Sequence, residues 1–173
     1  IPQDQFNMFK NNVRETIDGP LLEELFPMGE VLSDVHWETH DGRTRLPAHQ
    51  NDAHTTESCR GKAGITFGRQ IGAYPILIGV EYHIPLETQS NIVVTGHGAR
   101  SITGVETNLD HDSITQKQLE SIPGIGEKTA WKLISQRAKQ KRNSGSNAAY
   151  ENSEAWFNAA SIEWDEEYSV FFK

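Results

Sequence analysis

Cysteine is almost missing from this chain: of 173 residues only Cys59 carries a thiol. One thiol makes no internal disulfide and no cysteine-only metal site. An iron–sulfur cluster, which needs several cysteines, is equally out of reach. The lack of bridges fits a reducing compartment, so a cytoplasmic location is expected. Long apolar runs are also missing, and no segment is expected to span a membrane. No basic stretch leading into an apolar one opens the chain, so no export signal is expected. Nor is there an initial methionine. The opening Ile1-Pro2-Gln3 leads us to expect a piece of something longer, or a processed product. Catalytic patterns are absent too: there is no Ser/His/Asp array, phosphate-cradling glycine–lysine loop or paired-histidine metalloprotease motif. No catalytic residue and no metal ligand is therefore assigned.

What is present is unevenly charged. The net charge of -8 argues against a nucleic-acid partner, but its distribution argues the other way. Residues 127–142 hold Lys128, Lys132, Arg137, Lys139, Lys141 and Arg142 against Glu127 alone. Residues 151–173 hold Glu151, Glu154, Glu163, Asp165, Glu166 and Glu167 against Lys173 alone. Such asymmetry between neighbouring segments says more about partners than the sum does. The acidic segment is expected to be a solvated tail, or to lie against the basic helix when no ligand is bound.

Periodicity divides the chain. Phe6, Phe9, Val13 and Ile17 recur at helical steps, which predicts a helix over 3–18, capped by Gln3 or Asp4 and stopped at Gly19-Pro20. A second short helix should carry Leu21, Leu22, Leu25 and Phe26, and close at Pro27-Met28-Gly29. Strands are then expected at 31–39, 65–68, 74–80, 91–95 and 101–103. Between the first two lies a long polar loop, 41–63, and loops of that length are usually functional or mobile. From Ser113, expected as an N-cap, the pattern turns helical. A second helix should run from Glu127 to about Lys141, followed by a flexible linker at 143–150 and a short helix at 153–160. Four segments result: N-terminal helices at 1–28, a β region at 29–109, a helical pair at 110–142, and a linker with acidic tail at 143–173.

The segment with the clearest chemistry is Leu119-Glu-Ser-Ile-Pro-Gly-Ile-Gly-Glu-Lys-Thr-Ala-Trp-Lys-Leu-Ile-Ser-Gln-Arg137. Leu119, Ile122, Ile125, Ala130, Leu133 and Ile134 suit a buried seam between two helices. Gly124 and Gly126 suit a tight corner with positive backbone angles. Amides of the corner and of the next helix's first turn then lack partners, and with the helix dipole they suit an anion. A phosphodiester held this way is read without regard to base. The string resembles the helix-hairpin-helix family, over about 20 residues. That resemblance implies non-specific contact with the phosphate backbone of DNA or RNA through Gly124, Ile125, Gly126, Lys128, Thr129, Lys132 and Arg137. The alternative is a packing or protein–protein module that binds no nucleic acid.

The close spacing of short strands with glycine turns points to a small antiparallel barrel of the OB type, with a sandwich as the alternative. The fold class expected is thus α+β: a helical pair, an OB-like barrel, a helix-hairpin-helix and an acidic tail. Arg69, Gln70, His97 and Arg100 would line one barrel rim, either for phosphate or bases or as turn-stabilising groups. Phe67, Tyr74 and Tyr82 would stack bases or fill the core.

A wider similarity runs through Arg14–Leu22, Phe26–Gly29, Val31–Val35, Thr66-Phe67-Gly68-Arg69-Gln70-Ile71-Gly72-Ala73-Tyr74-Pro75 and His97–Val105 into the hairpin. Over most of residues 10–137 the chain resembles the C-terminal region of archaeal radical S-adenosylmethionine proteins that end in a helix-hairpin-helix. That resemblance implies an accessory region beside an upstream radical S-adenosylmethionine domain. A 4Fe-4S cluster and S-adenosylmethionine would then belong to the parent chain only. The loop 43–63 is longer than the family's pattern.

Two other groups are weighed and set lower. His49, His54 and Cys59, with Asp52 or His40, have soft-ligand character but no zinc-finger spacing, so a solvated loop is preferred. Asp110 and Asp112, on either side of His111, or the loop histidines, would serve a free-standing nuclease with a divalent metal. Capping of the helix near Ser113 is the simpler role.

Overall fold

In a computed structural model of the chain, residues 1–40, 65–72, 76–98 and 101–173 are described. They fall into two compact units, Ile1–Gly104 and Val105–Lys173. The architecture is α+β: an N-terminal helical arm, a closed five-stranded barrel, and further helices.

The arm corrects the expected helical pair. Helix α1 (Gln3–Val13) passes into a π-helical segment (Arg14–Asp18) and on into α2 (Gly19–Leu25) without a break. Pro20 falls at the first positions of α2, so its missing N–H removes one hydrogen bond from this continuous helix. The widened π turn takes up the strain that a proline ring imposes on the preceding turn. Gly19-Pro20 therefore redirects the helix instead of stopping it. Neither Gln3 nor Asp4 caps α1; its N-cap is Pro2, with no side-chain cap. The apolar face predicted from periodicity exists, yet α1 buries none of its residues, and Phe9 and Ile17 are 67% and 58% exposed. Leu22 of α2 is buried.

The barrel strands are β1 (Val31–His40), β2 (Thr66–Gln70), β3 (Leu77–Val80), β4 (Gln89–His97) and β5 (Ser101–Glu106), closed in the order β1-β2-β3-β5-β4. The β1–β2, β1–β4 and β2–β3 ladders are antiparallel, but β3 and β5 run parallel. The expectation of a wholly antiparallel barrel is corrected there. Residues 81–88 carry the chain away from β3, so β5, not β4, returns beside it.

Strand β1 shows how local geometry sets the core. Leu32 and Val35 are three apart, which in a regular strand puts them on opposite faces. Both are buried. A register shift between them, with Asp34 at φ 55°, turns the strand by one position. The Asn91 side chain accepts the amide of Asp34 at 3.0 Å, so the kink leaves no orphan donor. Trp37, fully buried, donates its indole N–H to Ser90 Oγ at 2.7 Å. Thr66, also fully buried, donates to the Tyr82 carbonyl at 2.8 Å and accepts the Ile84 amide at 3.0 Å. That hydroxyl fastens the segment after β3 to β2. Gly68 and Gly104 mark close strand approaches. A Cβ on the first would stand 2.4 Å from the His36 carbonyl oxygen, and on the second 2.6 Å from Ile92 Cδ1.

The second unit comprises α3 (Gln116–Ser121), α4 (Glu127–Ser144), α5 (Ser153–Ala159) and a 3-10 turn at Glu166–Val170. Thr115, not Ser113, caps α3. Its hydroxyl accepts the Gln118 amide while the Gln118 side chain accepts the Thr115 amide, a closed capping box. Leu119, Ile122, Ile125, Ala130 and Leu133 form the expected buried seam, while Ile134, also expected in it, is half-buried. The region expected as linker is tied down in part: the Ala149 amide bonds Asp112 Oδ1 at 2.9 Å, and Ala149 is buried. The expected acidic tail is a folded lobe. Phe157 is fully buried and meets Trp164, Tyr168 and Phe172 with ring centroids 5.1, 5.5 and 6.0 Å away. Phe172 pairs with Leu109 in an isolated bridge. The acidic residues ride on the outside of this aromatic cluster.

Candidate functional site

Helix α4 is the longest in the second unit, and its two sides differ. Ala130 and Leu133 are buried. At 100° per residue, Arg137 and Lys141 lie on that same inner side. The Arg137 guanidinium donates to the His111 carbonyl at 2.9 Å and stands over the Trp156 ring, 5.2 Å from its centroid. Burial lowers its pKa from the usual arginine value, with Asp112 and Asp110 opposing the shift. The Lys141 ammonium donates to the Asp112 carbonyl at 2.7 Å. Both cations are spent on holding residues 111–112 to the helix. Arg137 was expected on the binding face, and its inward position corrects that expectation.

Lys128, Lys132, Lys139 and Arg142 fall on the opposite side, within an arc of about 80°. All four are exposed, and among the described residues none forms an ion pair. Trp131 stands among them, 62% exposed. Along the helix this ridge extends about 21 Å, from fourteen steps of roughly 1.5 Å. Gln116, Glu127, Lys128, Trp131 and Lys132 line a shallow groove of about 590 Å³ beside its N-terminal end.

The corner between α3 and α4 is half open. Gly124 has φ +90°, as expected, and only glycine takes that angle without strain. Its open side is covered: the Tyr168 hydroxyl lies 3.0 Å from where a Cβ would be. Burial, reinforced by Asp165 and Glu167, raises the Tyr168 pKa above the ordinary phenol value. Gly126 differs from expectation, with an extended φ of -84° as the N-cap of α4. Nothing lies within 4 Å of a Cβ built on it. It offers no side chain to the first-turn amides. The Ile125 amide is not free, since it bonds the Ile122 carbonyl at 3.0 Å, and its side chain belongs to the seam. Thr129 is half-buried. Of the residues expected to grip phosphate, Gly126, Lys128 and Lys132 stand open together, while Gly124, Ile125 and Arg137 are engaged by the fold.

Two of the residues expected on the barrel rim are also engaged. Arg69 forms an ion pair with Glu38. His97 Nε2 lies 2.5 Å from the Phe26 carbonyl. Gln70 is half-buried, and Arg100 lies outside the described residues. Tyr82 belongs to the core, Phe67 covers Gly79, and Tyr74 is outside the described residues. His49, Asp52, His54 and Cys59 are outside them as well. Among the described residues no cluster of three or more His, Cys, Asp or Glu is placed to hold a metal. No helix among them is long and apolar enough to cross a membrane.

Asp110, His111 and Asp112 act as a clasp. Asp110 Oδ1 accepts the Asp112 amide at 2.9 Å, and that bond, with help from Lys173 and His111, holds its pKa below the usual carboxylate range. His111 Nε2 stands 3.0 Å from the Tyr150 carbonyl. These contacts bind the stretch before α3 to the stretch after α4.

Two archaeal relatives were found. An uncharacterized protein of Archaeoglobus fulgidus is 33% identical over 120 residues, 69% of this chain and 18% of that protein. Uncharacterized protein MJ0274 of Methanocaldococcus jannaschii is 31% identical over 100 residues, 57% of this chain and 15% of that protein. The chain thus spans less than a fifth of the length of the curated relatives it matches. No family model and no solved structure matches it.

Lys139 and Arg142 were counted in the basic run but not assigned to the site, although a helical wheel begun at Lys128 collects both. Tyr168 carried no such signal, being separated from Gly124 by most of the second unit.

Proposed function

We propose that the second unit binds the phosphate backbone of nucleic acid without sequence preference, through the outer side of α4 and the open Gly126 corner, as a helix-hairpin-helix. What carries this reading is the sorting of cations on α4: two turned inward into hydrogen bonds, four left outward and without ion pairs. Cations with no internal task, beside unpaired first-turn amides, suit a polyanion. The closed five-stranded barrel supports an OB-like reading of the first unit. Residues 41–64, 73–75 and 99–100 lie outside the described residues, so the proposal rests on α4 alone. Attachment to a radical S-adenosylmethionine domain is a separate proposal, supported only by the resemblance over residues 10–137. A gene sequence encoding Cys-x3-Cys-x2-Cys upstream of Ile1 would support it, and upstream sequence without that motif would remove it.

The decisive variant is Gly126→Asp. The site has room for the side chain, and aspartate is a better N-cap than glycine by a few tenths of a kcal/mol. Its carboxylate then occupies the amides a phosphate would need. Fluorescence anisotropy with a labelled oligonucleotide should show weakened binding while thermal stability is kept or raised. Unchanged binding by Gly126→Asp and by Lys128→Glu refutes the proposal. It would instead favour the packing-module reading, to which the exposed Trp131 ring also lends itself.

A further inference from the structure

We infer that the preferred ligand of this surface is single-stranded nucleic acid, with one base stacked on Trp131. The inference rests on the reading above and specifies its substrate class. The chain has four tryptophans, and three have fold tasks. Trp37 and Trp156 are fully buried, each with its indole N–H bonded, to Ser90 and to the Leu133 carbonyl. Trp164 is half-buried and packs edge-on against Phe157 and Tyr168. Trp131 alone among them is mostly exposed, with neither a ring partner nor an indole hydrogen bond among the described residues. It lines the groove with Gln116, Lys128 and Lys132.

That combination discriminates between occupants. A large apolar ring left in water is unfavourable unless a partner covers it. Lys128 and Lys132, at positions -3 and +1 from it, attract an anionic partner and repel a basic one. A paired duplex presents phosphates to lysines but keeps the faces of its bases stacked inside. An unpaired strand presents phosphate and a free base face together, which is the pairing of groups this groove offers. Gln116 at the groove wall supplies an amide that can donate to or accept from a base edge.

The test compares, with the full chain, a short oligothymidylate, an abasic strand of equal length and a duplex of equal length. Oligothymidylate should quench Trp131 emission and bind more tightly than the abasic strand. Trp131→Ala should weaken oligothymidylate binding about 5- to 150-fold, the range for loss of one stacked base. It should leave abasic-strand binding nearly unchanged. Trp131→Phe should recover much of the loss. Because Trp131 is exposed, the alanine variant should keep the wild-type circular dichroism and melting point. Equal binding of all three probes, with unaltered tryptophan emission, overturns the stacking inference and leaves the backbone-binding proposal standing. Binding of none of them removes both. A Trp131 emission change that depends only on protein concentration would mean a second copy of the chain covers the ring, and would also overturn the inference.

Discussion

Neutralising Lys128 and Lys132 together should halve the salt dependence of oligonucleotide binding. Each cation that meets a phosphate on a single strand contributes about -0.7 to the slope of log K against log salt. With Lys128, Lys132, Lys139 and Arg142 all engaged, the slope should be about -2.8. Between about 50 and about 200 mM salt the affinity should then fall roughly 50-fold. In the Lys128→Gln/Lys132→Gln variant the slope should drop to about -1.4, and the same change in salt should cost roughly 7-fold. Arg137→Gln provides the contrast. Its guanidinium is spent on His111 and Trp156, so it should lower the melting temperature and leave the slope where it was. Anisotropy titrations at four salt concentrations measure all three proteins. A slope that falls with Arg137→Gln, or stays near -2.8 in the double variant, would show that the assignment of inner and outer cations is wrong.

Three further outcomes are expected. Glu127→Gln removes a carboxylate from the groove wall, so nucleic acid should bind more tightly, while loss of a favourable helix-terminal charge lowers stability by about 0.3–1 kcal/mol. Thr66→Val leaves the Tyr82 carbonyl and the Ile84 amide without their buried partner, and urea unfolding should show about 1–3 kcal/mol of destabilisation. Tyr168 has a folded-state pKa raised above that of a free phenol. Its stabilising contribution is therefore complete below the unfolded value of about 10 and lost as pH climbs through the folded value. Ultraviolet difference titration should find a late-ionising tyrosine that Tyr168→Phe removes, and a late-ionising component left unchanged by Tyr168→Phe would contradict the raised value.

Much of the fold can be read from the sequence because the signals are local. The five strands follow two-residue alternation or short apolar runs, and the α3–α4 corner follows Pro123-Gly124-Ile125-Gly126. Where the reading failed, the deciding contact lay elsewhere in the chain. The apolar face of α1 is visible in its spacing, but spacing does not say whether anything covers it. Pro20 looks like a stop until the π turn before it is seen. At α3 the start moved from Ser113 to Thr115, because Asp110 Oδ1 accepts the Asp112 amide and the Asp110 carbonyl accepts those of Ser113 and Ile114, closing a separate turn first. Counting basic residues over 127–142 gave the right helix but not its two sides. The acidic C-terminal segment misled for a similar reason. Its charges are frequent, while Phe157, Trp164, Tyr168 and Phe172 meet through irregular backbone that has no period to detect.

The paired glycines of the barrel have a consequence for the first unit. Gly68 and Gly104 let neighbouring backbone and side chains press in to distances that leave no room for a methyl group. Trp37, Ile78, Ile92 and Ile102 fill the middle. A cylinder of five strands packed this way is a plug, not a vessel. Among the described residues the barrel offers a partner its outer wall and its ends, and changes inside it should alter stiffness before they alter recognition.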